Sequence, residues 1–199
     1  MTINNHQDFE NSQENTEIAI LREKNQKLEQ QLKQFIEIAQ QNDKLNQRIR
    51  RVIVALTNVT GLDNFFKTLY DSLSKEFHTD KVAVRWFELP GPSLAHCPEF
   101  VEYDAEIFAL FENLLESNKP LCGQCSIESM NYLFPESEIG SAVLIPLGEA
   151  QGLLAMASYN PSRYHSDMAI DFLQYLGQLI SYLLKMWLQF YYNDNKLII

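Results

Sequence analysis

The first sixty residues contain neither glycine nor proline, whereas all seven glycines fall at or after Gly61 and all seven prolines at or after Pro90. Glycine costs a helix interior about 1 kcal/mol and proline about 3, so a stretch free of both permits one uninterrupted helix. Its apolar residues recur with heptad spacing. With Leu21 at position d, the d series reads Leu21, Leu28, Phe35, Asn42, Ile49, Leu56, and the a series Ile18, Asn25, Leu32, Ala39, Asn46, Ile53. A seven-residue apolar repeat sustained in this way is a coiled-coil pattern, and a seam asparagine pairs best with itself across a parallel two-stranded contact. The expectation is a parallel homodimer through residues 16–60, with Leu21, Asn25, Leu28, Leu32, Phe35, Ile49, Ile53 and Leu56 at the interface. Ile36, Ile38 and Leu45 lie off the seam, which leaves open a helix that covers its own domain instead. Residues 1–15, rich in Asn, Gln and Glu, read as a disordered tail.

Residues 61–192 read as one α+β domain, followed by a short tail over 193–199. Gly61-Leu-Asp63 interrupts the long helix, and apolar spacing predicts a second helix over 63–77. Lys81 to Leu89 alternates Val82, Val84 and Trp86 against Lys81, Ala83 and Arg85 and reads as a strand. Pro90-Gly-Pro92 is a turn, a short edge strand fits 100–103, and Asp104 caps a helix over 105–117. Residues 120–126 read as a loop and 127–133 as a short helix. Two apolar runs, Gly140 to Leu147 and Leu153 to Tyr159, flank a polar, Gly-bracketed link and predict a β-hairpin. Neither run alternates, so both strands are expected to be covered on both faces. Ser166 or Asp167 caps a closing helix to about Tyr191. Its face of Leu173, Leu176, Ile180, Leu183, Leu184 and Trp187 is expected to complete the dimer, and its aromatic end (Trp187, Phe190, Tyr191, Tyr192) suggests a protein partner.

Charge and cysteine usage narrow the setting. The net charge of −10 falls entirely on residues 61–199, because the first sixty residues balance. An acidic domain repels phosphate backbones and argues against nucleic-acid binding. Residues 168–192 are the most hydrophobic window, but Asp171, Gln174, Gln178, Lys185 and Gln189 recur on one face, so this is an amphipathic helix and not a membrane span. Three cysteines with no export signal point to reduced thiols in the cytoplasm.

A family resemblance rests on Leu21-Arg-Glu-Lys-Asn25, Cys122-Gly123, Gly140-Ser-Ala142, Ile145-Pro-Leu147, Gly152-Leu-Leu-Ala155 and Asp171-Phe-Leu173. Through these residues the chain resembles the bacterial family called domain of unknown function 484, and its hairpin and closing helix look like the end of a GAF domain, a small sensor fold. The resemblance implies an antiparallel sheet flanked by helices, and implies no reaction. In such folds a small molecule sits between the sheet and the elements over one face. Here that pocket would be lined by Trp86, Phe100, Phe108, Cys122, Met130, Phe134 and Tyr159. Apolar walls with a few polar groups describe a small-molecule site and a filled core equally well.

Other chemistry is thinner. Cys122-Gly-Gln-Cys125 with His96-Cys97 offers zinc-type ligands on paper, but adjacent residues seldom both face one metal. Cys122-Gly123 and Ser137-Glu-Ile139 also resemble free methionine sulfoxide reductases, which implies a thiol redox enzyme using Cys122 and Cys125; the cysteine that family places before the second segment is absent. Asn160-Pro161 and Tyr164 to Asp167 resemble the cyclic-nucleotide signature of some GAF domains without its lysine and glutamate. No G-x-S-x-G, P-loop, G-x-G-x-x-G or H-E-x-x-H occurs. The reading is therefore a dimeric GAF-like sensor or interaction module with no catalytic residue, metal or cofactor. A thiol enzyme and a purely structural adaptor are the alternatives.

Overall fold

The computed structural model describes residues 4–88, 94, 97–166 and 170–196, with side chains over 17–192 of these. The chain divides into two units, Met1–Leu45 and Asn46–Ile199. Helix α1 spans Asn4–Thr57. In the first unit its seam side chains are exposed, among them Leu21, Leu28, Leu32 and Phe35, as are Ile36 and Ile38. Helix α1 begins at Asn4, within residues 1–15 expected as a tail, and residues 1–3 lie outside the described residues.

The second unit is α+β, as the hairpin and the flanking helical periodicities imply. After α1 come α2 (Leu62–Phe77), β1 (Lys81–Trp86), α3 (Ala105–Ala109), α4 (Glu112–Ser117), β2 (Leu121–Gly123), α5 (Ile127–Leu133), β3 (Ser141–Leu147), β4 (Gly152–Ser158) and α6 (Asp171–Lys196). The sheet is antiparallel in the order β1-β4-β3-β2. The hairpin β3–β4 forms its centre, and every residue of both strands is buried.

Both faces are covered by apolar helices, which is why the hairpin does not alternate in polarity. Ala83, Leu153, Ala155, Ala157, Ala142 and Leu144 share one face and pack with Phe111, Leu114 and Leu115 of the α3–α4 segment and with Met130, Leu133 and Phe134 around α5. Val84, Ile145 and Leu154 point the other way, where α2 crosses β1 and α6 crosses β3. Gly177 allows α6 to lie this close, because a Cβ there would sit 2.6 Å from Ile145 Cγ2 and 3.0 Å from Pro146 O. Ile49, Val52 and Leu56 of α1 are buried in this second unit.

Several expectations are corrected. The helix expected over 105–117 is two: Leu110 and Phe111 break it, Phe111 leaving helical geometry at φ −121° and ψ 7° as it buries its ring. The loop expected over 120–126 contains strand β2, whose pairing with β3 is set by tertiary contact rather than by any local apolar run. In place of an edge strand over 100–103 there is a single bridge, Trp86 to Phe100. The α6 face of Leu173, Leu176, Ile180, Leu183 and Leu184 is buried against the domain's own core, so it is unavailable for a dimer. The Pro90–Pro92 turn and the Asp167 cap lie outside the described residues.

Candidate functional site

The seven side chains expected to line one pocket are divided by the sheet. Phe108 and Cys125 pack at the border of the core cluster that holds Met130 and Phe134, beneath α3–α5. Trp86 alternates to the opposite face from Ala83, and Phe100 meets Phe66 of α2 edge-to-face at 5.7 Å. Cys122 pairs with Val143 and, by the pleat, also faces away from the Ala142 and Leu144 side. Tyr159 follows the end of β4 and is 53% exposed. A strand period of two separates residues that a list of pocket-like side chains places together. Trp86 is 1% exposed and belongs to the core.

What remains on the α3–α5 side is a cavity of about 220 Å³ bounded by Cys125, Ile127 and Met130 on one side and Ile139, Ser141 and Ala142 on the other. Its frame is tied by short-range polar bonds. Ser126 caps α5 by accepting from Ser129 N at 3.1 Å. Ser141 Oγ donates to Asn160 O at 2.7 Å and accepts from Tyr164 N at 3.1 Å, which binds the start of β3 to the segment after β4. Gly140 is required there, since a Cβ would collide with the Tyr159 carbonyl oxygen. With Ser141 committed, Gln124 is the amide side chain left in the lining, and the remaining polar surface there includes backbone.

The thiols are held in their neutral form. Burial pushes both Cys122 and Cys125 up to about 11, the neighbouring Cys125 adding to the effect on Cys122. Reactive cysteines show the opposite, a lowered pKa beside a cation or a long helix N-terminus. All three cysteines are free thiols. Among the described residues, no three His, Cys, Asp or Glu side chains come together as a metal-holding group, and His96 lies outside that set. Among the described residues, no helix is long and apolar enough to cross a membrane.

Two polar constellations carried no local sequence signal. Asp80 caps the end of β4 by accepting from Ser158 Oγ at 2.6 Å and Tyr159 N at 3.0 Å, and these bonds hold its carboxyl below the usual range. Glu99 is buried and accepts the Tyr70 hydroxyl at 2.8 Å, while burial followed by the Glu99 charge raises the phenol. Each pair joins residues at least 29 positions apart in the chain, a separation periodicity does not reach.

The expected dimer residues also part company. Leu21, Leu28, Leu32 and Phe35 are exposed, whereas Ile49 and Leu56 are buried in the second unit and Ile53 is half-buried. Asn25 is exposed beside the first group. Comparison with known proteins gives one family match: the model described as "Protein of unknown function, DUF484" covers residues 6–189. No curated protein matches this chain.

Proposed function

We propose that this chain, which belongs to the DUF484 family of proteins of unknown function, acts as a homodimeric, GAF-like interaction module that works without catalysis. The observation that carries the reading is the exposed apolar seam of α1. Leu21, Leu28, Leu32 and Phe35 are each 59–69% exposed and repeat at heptad positions. A lone helix has no reason to keep such a stripe in water, whereas a second copy buries it knob into hole. The charges flanking the seam favour a parallel, in-register partner. Glu17 and Lys24 occupy g positions, and Arg22 and Glu29 the e positions they meet across a parallel pair, so both contacts are attractive. The usable seam ends before Ile49, because α1 there turns its apolar side into its own domain.

The GAF-like part of the reading is supported by the antiparallel sheet with helices on both faces and a long closing helix. Ligand sensing at the α3–α5 face takes second place. The cavity there is about 220 Å³ and its lining includes no charged side chain to select a ligand. The neutral, half-buried thiols of Cys122 and Cys125 favour binding over redox chemistry. Native mass spectrometry beside sedimentation equilibrium tests the proposal. A dimer at micromolar concentration is expected, and a monomer across the whole concentration range would overturn it. Extra mass of a few hundred daltons on the native species would promote the sensing reading.

A further inference from the structure

A second cavity, of about 240 Å³, lies between the start of α2 and the end of α6, bounded by Leu62, Asp63, Leu94, Trp187, Phe190 and Tyr191. We infer that it binds a small quaternary ammonium or methylated amine ion. Three of its walls are aromatic. Trp187, Phe190 and Tyr191 stand three and four residues apart on α6, the spacing that places side chains on one helix face. The Trp187 and Phe190 rings meet edge-to-face, 6.3 Å apart at 63°. The two ring planes therefore form a corner and not a stack, and both side chains line the same cavity. Aromatic faces attract a cation through the ring quadrupole, and methylated ammonium ions suit them because their charge is spread over an apolar shell.

The electrostatics of the site have the matching sign. Asp63 supplies a carboxylate in the first turn of α2, with one oxygen accepting the Cys97 thiol at 3.7 Å. The ion pair found among the described residues is Arg51–Glu76, so no described cation pairs with Asp63. Carboxylates act on neighbouring groups: the Cys97 thiol is raised by burial and then by Asp63 and Glu99, and Tyr192 by burial and then by Glu88. Gly61, with φ +86°, makes the tight entry that brings Leu62 and Asp63 to the cavity. Neither the pocket expected over the sheet nor the seam of α1 uses these residues.

The test is titration of the full chain with choline, with its neutral isostere 3,3-dimethylbutanol, and with phosphatidylcholine vesicles, followed by tryptophan fluorescence and calorimetry. Trp86 is buried in the core, so a fluorescence response reports Trp187. Free choline is expected to bind about tenfold more tightly than the isostere, the discrimination one cation–π contact supplies. Phe190→Leu is expected to weaken choline several-fold; its ring is more than half exposed, so the fold does not depend on it. Asp63→Asn is expected to weaken choline and leave the isostere unchanged. Equal affinity for choline and isostere, binding to vesicles alone, or no response to millimolar choline would each overturn the assignment.

Discussion

Replacing Leu28 and Leu32 together with glutamate attacks the proposed dimer at adjacent d and a positions. The two side chains are 60% and 59% exposed in the single chain, so a partner helix has that much left to cover. Fully burying a leucine contributes about 1.5–3 kcal/mol, so three-fifths of that is about 1–2 kcal/mol per side chain. A two-fold pair buries four of them, about 4–7 kcal/mol, and area-based values of this kind are upper estimates. Even the lower figure weakens dimerisation about a thousandfold, and glutamates facing one another across the seam add repulsion. Sedimentation equilibrium over a dilution series should show the variant as monomer where the parent chain is a dimer. Far-UV dichroism should show the second unit still folded, since neither residue belongs to its core. The control is Gln30→Glu with Gln34→Glu, which adds the same charge away from the seam and should leave the dimer intact. A double seam variant that keeps the parental mass would refute the reasoning, and would move the interface to exposed side chains of α6 such as Tyr175 and Tyr182.

Three further outcomes follow from the second unit. Gly177→Ala gains about 1 kcal/mol of helix propensity but forces a methyl to within 2.6 Å of Ile145 and 3.0 Å of the Pro146 carbonyl; overpacking of this kind costs about 1–3 kcal/mol. Because the second obstacle is backbone of a central strand, the melting temperature should fall by a few degrees, and a rise would show that α6 slides freely on the sheet. Asp80 has its pKa lowered, first by Ser158 and then by Tyr159 N; its stabilising contribution is present above the ordinary aspartate range near about 3.9 and is lost as pH falls through the lower folded value. Asp80→Asn should therefore remove part of the acid sensitivity seen in melting curves below about pH 4, and unchanged curves would contradict the cap. With Cys122 and Cys125 at about 11, on the order of one thiol in a thousand is ionised at pH 8, against about a quarter of a free cysteine. Disulfide-exchange labelling of the native chain should be correspondingly slow at both, and two fast equivalents would revive a thiol enzyme.

The elements legible in the sequence were those whose cause is local. A glycine- and proline-free run became α1, and two apolar runs around a Gly-bracketed link became β3 and β4 within a residue of the expected limits. Lack of alternation in those runs told correctly that both faces are covered. Strand β2 was illegible because three residues, Leu121 to Gly123, are ordered only by the edge of β3. The break at Leu110–Phe111 was illegible because a run of apolar residues fits either one helix or two, and burial of the Phe111 ring decides between them. The expected pocket failed for a related reason. Trp86 and Met130 are both large and apolar, but pleat and register put them on opposite sides of the sheet, and register depends on partner strands distant in the chain. Likewise Ile49 and Leu56 continue the heptads in sequence, yet tertiary packing claims them. Periodicity specifies that a face is apolar. Whether the chain's own core or a second copy covers it depends on which face is already filled, and here the change occurs between Phe35, exposed, and Ile49, buried. A seam of this kind is best tested near Leu28 and Leu32, where no core competes for the same side chains.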